Sequence, residues 1–157
     1  MKHRISAGVL ALRDDRILLV RHFRPGEHDF WAGPGGGAEG AEELDEAAER
    51  EAFEEAGIRV KARAMAYIDE LVDDWGRIVK FWFLADYVSG EIDVSANPAE
   101  GESISEAGWF TREALPQGHV FPEVLRDRFW DELKTGFPAP IKPVSYTHLT
   151  LPTIYSV

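Results

Sequence analysis

Residues 41–56 predict an α-helix that is rich in alanine, glutamate and leucine and that stops at Gly57. Its last two turns, within the stretch REAFEEAG, carry Glu51, Glu54 and Glu55. Carboxylates are unfavourable there because the C-terminal end of a helix carries a negative partial charge, and neighbours on one face also repel one another. We therefore expect a cation to lie beside these side chains.

The three glutamates lie on the face of the predicted helix that points inward. Leu44 marks the centre of a small apolar face, and Glu51 and Glu55 fall about 20° to either side of it on a helical wheel. Glu54 falls about 80° away. The other acids lie on the solvent side: Asp45, Glu46 and Glu49. Unpaired buried charge is costly, so the inner carboxylates predict a site for a hard cation, Mg²⁺ or its substitute Mn²⁺.

The composition of the 157-residue chain narrows the class of protein. Its length favours one domain, which we place at residues 1–143. The absence of cysteine excludes disulfides, thiolate metal sites and cysteine nucleophiles. A formal charge of −11 argues against nucleic acid as a partner, and an anionic ligand would need a metal or local arginines. The apolar run near the start is too short for a signal peptide or membrane span, so we expect a cytoplasmic protein.

Strand and helix patterns alternate along the chain. Apolar runs at residues 6–12 and 17–21 predict a hairpin, and a glycine-rich loop leads from there into the helix. Three further strands are predicted at residues 59–71, 77–87 and 104–110. A brief helix capped by Thr111 follows at residues 111–115, and a last helix at residues 122–136. The strand at 77–87 is apolar on both sides and is expected to be covered on both faces. These patterns predict an α/β chain in which helices cover a mixed sheet.

The C-terminal residues 144–157 contain no aspartate, glutamate, lysine or arginine. The stretch VSYTHLTLPT, residues 144–153, resembles the translation of an adapter used to prepare sequencing libraries. The alternative is an ordinary disordered terminus. In both cases we expect the tail to contribute nothing to the fold.

The stretch GGAEGAEELDEAAEREAFEEAGI, residues 36–58, resembles the signature of the Nudix family. That signature is Gly-x5-Glu-x7-Arg-Glu-U-x-Glu-Glu-x-Gly-U, with U an apolar residue, and every fixed position matches. Ala52 is small for its U position, and we expect Phe53, on the opposite side of the helix, to be covered by the last helix. So many fixed positions make the match specific, and the resemblance extends from about residue 5 to 115.

The resemblance implies a Nudix-type α/β/α sandwich and the hydrolysis of a nucleoside diphosphate linked to another group. Glu51, Glu54 and Glu55 match the metal-binding glutamates of the family, and the carbonyl of Gly35 resembles a further ligand. The remaining fixed positions are expected to shape and orient the site: Gly36, Glu42, Arg50 and Gly57. We expect Arg50 to orient carboxylates, within reach of Glu46 and Glu54 on the helix; the alternative is a surface ion pair.

The family members differ over which carboxylate takes the proton from the attacking water. Glu51 is one candidate. The other is an acid in EGESISEAGWF, where we favour Glu102 over Glu100 and Glu106; the alternative is that all three are exposed loop acids.

Contacts to the substrate are less constrained by the sequence. The candidates for phosphate contacts and base stacking are Arg21, Arg24, Arg77 and Trp75. The resemblance does not name the nucleotide, and it leaves a homodimer open.

The sequence allows two other interpretations. GGGAEG formally fits a dinucleotide fingerprint, but too short a strand precedes it and the following helix is acidic. A Nudix-fold sensor that binds its ligand without cleaving it is the alternative to an enzyme. The complete glutamate set favours the enzyme.

Overall fold

The structure is a computed structural model that describes residues 1–95, 103–139, 141 and 144–147. Nine strands and two α-helices lie within this part of the chain. The strands are β1 Lys2–Arg13, β2 Arg16–Arg24, β3 His28–Ala32, β4 Gly35–Gly37, β5 Arg59–Val72, β6 Gly76–Ser89, β7 Ile104–Phe110, β8 Val120–Phe121 and β9 Val144–Thr147. The helices are α1 Leu44–Ala56 and α2 Phe129–Thr135.

The strands form one mixed sheet in the order β8-β3-β2-β1-β6-β5-β9, with β4 paired to β1 and β7 paired to β2. β1 is antiparallel to β2 and to β4 but parallel to β6. The predicted hairpin and the long pair β5–β6 are both present. The mixed sheet expected from the sequence is thereby confirmed.

Each face of the sheet carries its own hydrophobic core. On β1, Leu10 packs into the core that contains Phe129 of α2, whereas Val9 packs into the core that contains Ala52 of α1. This alternation follows from the pleat, which points successive side chains to opposite faces. β6 is buried on the α2 side and half-buried on the other, as expected. Helices therefore lie on both faces, which confirms the α/β/α sandwich.

Helix α1 begins and ends with capping motifs. Glu43 and Glu46 form a reciprocal capping box at its start. The helix ends at Gly57, as predicted from the sequence, and this glycine has the left-handed conformation with φ of 73°. Phe53 corrects one expectation. Its side chain is 42% exposed and lies against the Arg59 guanidinium instead of under the last helix, because α2 packs on the opposite face of the sheet.

Several predicted boundaries were wrong. The last helix is divided into a 3₁₀ turn, Glu123–Arg126, and α2, and the brief helix after Thr111 is also a 3₁₀ turn, Arg112–Ala114. Strands β3 and β4 lie in the segment that reads as a loop, and β9 in the C-terminal residues pairs in parallel with β5. No helix of the described residues is long and apolar enough to cross a membrane.

Candidate functional site

The glycine strand β4 lies directly against the inward face of α1. The backbone N–H of Gly35 donates a 2.9 Å hydrogen bond to Glu55 Oε1. At Gly36, a side chain would collide with Glu51, because a Cβ built there lies 2.5 Å from Glu51 Oε1. Glu51 is 5% exposed and Glu55 is fully buried, as the helical wheel predicts. Two of the three glutamates are thereby held between the helix and one strand.

Arg50 connects the glutamates of the site. Its Nε and Nη2 atoms bind both carboxylate oxygens of Glu42 at 3.1 and 2.8 Å. Its Nη1 atom donates to Glu51 Oε1 and to Glu54 Oε2, each at 3.0 Å. Its Nη2 atom also donates to the carbonyl of Gly37 at 3.1 Å. Arg50 thus holds the carboxylates of Glu51 and Glu54 side by side and ties them to β4.

The electrostatics of this cluster favour its charged forms. The guanidinium of Arg50 lowers the pKa of the Glu42 carboxyl. In turn, Glu42 and then Glu51 raise the pKa of Arg50, and burial opposes that effect. The Arg50 side chain is only 22% exposed, so its contacts are not the surface ion pair that was the alternative. Its expected contact Glu46 instead accepts the backbone N–H of Glu43 at 3.1 Å.

The donor atoms of the three glutamates suit a divalent metal ion, although among the described residues it is Glu43, Asp45 and Glu46, and not these three, that bring one ligand atom each within 4.8 Å of one another. Glu51, Glu54 and Glu55 offer only carboxylate oxygens, which are the ligands that Mg²⁺ and Mn²⁺ prefer. The missing side chain at Gly36 leaves the space that the Glu51 carboxylate fills. Whether the carbonyl of Gly35 is a further ligand stays a prediction.

A second acidic cluster lies at the start of α1. One ligand atom from each of Glu43, Asp45 and Glu46 lies within 4.8 Å of the others, and Glu43 and Glu46 are exposed. The capping box accounts for the proximity of Glu43 and Glu46, so this cluster has a structural explanation.

Two buried charged residues near the glutamates, Lys80 and Asp69, were not predicted from the sequence. Lys80 on β6 is 7% exposed and its ammonium lies 4.3 Å from the centroid of the Trp82 ring. Asp69 on β5, 3% exposed, accepts a 3.0 Å hydrogen bond from Trp82 Nε1. Burial lowers the pKa of Lys80, and the charge of Glu55, followed by that of Asp69, opposes this. A lysine within the apolar run RIVKFWFLA was the available signal.

The predicted phosphate-binding arginines contact carboxylates. Arg21 binds Asp29 through Nε at 2.8 Å and Glu106 through Nη1 at 2.7 Å. Arg24 Nη1 lies 3.3 Å from Glu27 Oε2. The other two candidates, Trp75 and Arg77, lie near the turn between β5 and β6. There Arg77 is 3.6 Å from Glu70, and the backbone N–H of Trp75 binds Asp73. A contact of these four side chains with substrate stays a prediction.

The candidate base Glu102 and the alternative Glu100 lie outside the described residues. Glu106 is described and its carboxylate is engaged by Arg21. Glu51 or Glu102 as the proton acceptor stays a prediction.

The sequence of this chain was compared with those of known protein families. The NUDIX domain model matches residues 2–129. The chain belongs to the Nudix family. Its Nudix box, residues 36–58, extends from the glycine strand β4 through α1 to the αL glycine that ends the helix.

Individual Nudix relatives agree with this assignment. The chain is 37% identical over 117 residues to the NAD-capped RNA hydrolase NudC of Chromobacterium violaceum, covering 72% of this chain and 40% of the relative. It is 32% identical over 112 residues to the human 8-oxo-dGDP phosphatase NUDT18, covering 71% of this chain and 33% of the relative. This Nudix chain thus spans less than half the length of both proteins.

Solved Nudix structures share the fold. The crystal structure of a MutT NUDIX hydrolase from Burkholderia pseudomallei superposes with a TM-score of 0.66 at 30% identity. The match covers 80% of this chain and 95% of the solved one. The Nudix fold therefore extends over most of the described chain.

Proposed function

We propose that this chain is a Mg²⁺-dependent hydrolase that cleaves a diphosphate bond in a nucleoside diphosphate linked to another group. The observation that carries the proposal is the complete set of Nudix glutamates: Glu51 and Glu55 are buried on the inward face of α1 against β4, and Arg50 holds the partly exposed Glu54 beside Glu51. Neighbouring carboxylates repel one another unless a cation compensates their charge, and a divalent cation is what the proposed hydrolysis requires.

Each residue of the site has a part in the proposed reaction. Glu51, Glu54 and Glu55 would hold the metal, while Arg50 keeps Glu51 and Glu54 side by side. A bound divalent cation neutralises charge on the diphosphate oxygens and lowers the pKa of a water molecule. The water oxygen forms a bond to one phosphorus, the bridging P–O bond breaks, and the leaving phosphate keeps the electron pair. Glu51 or Glu102 accepts the proton of the water.

The fixed hydrogen bonds of the site support an enzyme because catalysis requires preorganisation. Arg50 contacts two of the metal-binding glutamates and a backbone carbonyl at 3.0–3.1 Å, in addition to Glu42. Glu55 is anchored to a backbone N–H at 2.9 Å. Carboxylates that are already oriented need little reorganisation when charge develops on the phosphate oxygens.

The experiment is a substrate panel assayed for phosphate and nucleotide release with Mg²⁺, with Mn²⁺ and with EDTA. The small molecules are 8-oxo-dGTP and 8-oxo-dGDP, dNTPs, ADP-ribose, NADH, dinucleoside polyphosphates and nucleotide sugars. NAD-capped RNA is included because the NudC relative is named for that substrate. It also tests the expectation that an acidic chain does not act on nucleic acid. Cleavage of one class that EDTA abolishes is the expected result.

The alternative function is a Nudix-fold sensor that binds a nucleotide without cleaving it. Binding detected by calorimetry, together with no release across the panel in either metal, would favour the sensor over the enzyme. Cleavage that persists in EDTA would contradict the metal-dependent reaction.

A further inference from the structure

Lys80 occupies a gap in the sheet that two glycines leave open. Gly8 on β1 and Gly35 on β4 are partners in the antiparallel register. A Cβ at Gly8 would lie 3.0 Å from Lys80 Cε, and a Cβ at Gly35 would lie 2.9 Å from the same atom. A Cβ at Gly8 would lie closer still to the Trp82 ring, at 2.5 Å, and one at Gly35 would lie 2.8 Å from the backbone of Ala7 and Gly8, so neither position can carry a side chain beside the lysine.

The same gap brings the lysine to the rear of the glutamate site. Gly35, which bounds the gap, is also the residue whose N–H binds Glu55 Oε1. Across the sheet, Lys80 is in register with Asp69 on β5. Asp69 is itself fixed by the indole N–H of Trp82, whose ring lies beside the lysine ammonium. Lys80 thus stands between a fully buried helix carboxylate and a buried strand carboxylate.

We propose that Lys80 is a positioning residue that acts as the internal counter-cation of Glu55 when no metal is bound, and that it thereby sets the affinity of the site for divalent cations. The inference rests on the proposed function, because it takes Glu55 to be a metal ligand. A buried carboxylate needs a compensating cation. In the metal-free protein the Lys80 ammonium supplies that charge.

Metal binding would then place a second cation near the buried lysine. The repulsion lowers metal affinity, so the site would release its metal more readily than three carboxylates alone would allow. Asp69 has the opposite effect, because its charge offsets that of Lys80. Removing Lys80 and removing the charge of Asp69 should therefore shift metal affinity in opposite directions.

The test compares Mn²⁺ binding by the full chain without nucleotide in three variants: Lys80→Met, Asp69→Asn and Lys134→Met. The dissociation constant is measured from the electron paramagnetic resonance signal of free Mn²⁺. Asn at position 69 keeps an oxygen that can accept the Trp82 N–H, so this variant removes little besides the charge. Lys134, exposed on α2, is the matched control for the loss of one lysine charge.

Lys80→Met should tighten Mn²⁺ binding by about tenfold, since a unit charge within about 10 Å at an effective dielectric constant of about 20 exceeds that effect. Asp69→Asn should weaken binding by a similar factor. Lys134→Met should stay within about twofold, because salt screens distant surface charges. A second readout is melting: Lys80→Met should lower Tm in EDTA, and Mg²⁺ should raise its Tm by more than it raises that of the wild type.

Unchanged or weaker Mn²⁺ binding by Lys80→Met would overturn the proposal, as would equal shifts in the same direction for Lys80→Met and Asp69→Asn. If Lys80→Met did not fold in EDTA, Asp69→Asn would test the proposal alone: weaker Mn²⁺ binding would support it, and unchanged or tighter binding would overturn it. These results leave hydrolysis by the wild type untouched, so they are distinct from a failure of the proposed function. Failure of the wild type itself to bind Mn²⁺ would overturn both.

Discussion

Gly36 and Glu51 are so close that a methyl group at position 36 would stand 2.5 Å from Glu51 Oε1. The carboxylate is the end of a flexible side chain, so it would move and the strand would stay in place. We expect Gly36→Ala to keep the fold and to lower kcat by about 100-fold, because a shift of about 1 Å in a catalytic group has that effect. Tm measures whether the fold is kept, and kcat at saturating Mg²⁺ measures the loss of activity.

Gly37→Ala is the matched control for this prediction. A Cβ at Gly37 would meet Arg4 Nε at 2.9 Å, so it also displaces a flexible side chain next to β4, but not a glutamate of the site. Its loss of kcat should be much smaller. Equal losses in the two variants would show that any alanine in the strand disturbs the site, and that the position of Glu51 is not the cause.

Glu54→Gln and Glu55→Gln test the metal-binding glutamates directly. Each substitution keeps the shape of the side chain and removes its charge. Tm should change little for Glu54→Gln and fall for Glu55→Gln, which takes a charge from the buried Lys80, although the amide oxygen at position 55 can still accept the N–H of Gly35. Turnover should fall by orders of magnitude, because a neutral amide is a poor ligand for Mg²⁺. Steady-state kinetics over a range of Mg²⁺ concentrations measures the effect.

Glu49→Gln on the same helix is the control for this pair. Glu49 is half-buried rather than solvent-facing as its place on the wheel predicted: its Oε2 accepts the backbone N–H of Ala62 on β5 at 2.8 Å, a bond that the amide oxygen can keep. This variant should hydrolyse at close to the wild-type rate. If Glu54→Gln and Glu55→Gln also did so, the assignment of the metal ligands would be wrong.

The inward face of α1 could be predicted from the sequence because helical periodicity depends only on spacing along the chain. Glu51 and Glu55 are seven and eleven residues beyond Leu44, which places them on its side whatever surrounds the helix. Gly57 likewise marks the helix end through its own backbone freedom. The inward face and the end of α1 were therefore predicted correctly, because both depend only on residues close together in the sequence.

Lys80 was missed because its burial depends on residues far away in the sequence. Within β6 it occupies one position of an alternating strand, where a lysine ordinarily indicates a solvent-facing side. Gly8 and Gly35 open the gap that receives it, and neither glycine can be connected with Lys80 before the register is known. Strand β4 was missed for a related reason: three glycines have low strand propensity, and only pairing with β1 makes them a strand.

Arg50→Lys should weaken both the fold and the reaction. Lysine keeps the charge but cannot bind Glu42 through two nitrogen atoms while also contacting Glu51 and Glu54. We expect the free energy of unfolding to fall by about 1.5–3 kcal/mol, the range for hydrogen bonds to charged groups. Urea denaturation measures the first effect, and kcat should fall because two glutamates lose their orientation.

Arg63→Lys is the control for the loss of a guanidinium. Arg63 is 45% exposed and binds Asp86 on the surface, where an ion pair contributes at most about 1 kcal/mol. Its substitution should leave kcat unchanged and affect stability less than Arg50→Lys. Comparable losses of stability would mean that the contacts of Arg50 with the glutamates have no special weight.

His22 should make stability depend on pH. The ring is buried against Phe30, with ring centroids 4.7 Å apart, and burial lowers its pKa to about 3, with Lys80 and His28 adding to the effect. Between about 3 and the ordinary value of 6.5, the unfolded chain binds a proton at this residue that the folded chain does not. This contribution therefore makes stability rise with pH across that window and become constant above it.

His22→Gln should remove this contribution. Urea denaturation from pH 4 to 7 would show a slope smaller than that of the wild type by up to about 1.4 kcal/mol per pH unit, the value for one proton. Carboxylates also titrate at the lower end of this range, but they are common to both proteins and cancel in the difference. Parallel curves would mean that His22 binds a proton equally in the folded and unfolded states, which its burial beside Lys80 makes unfavourable.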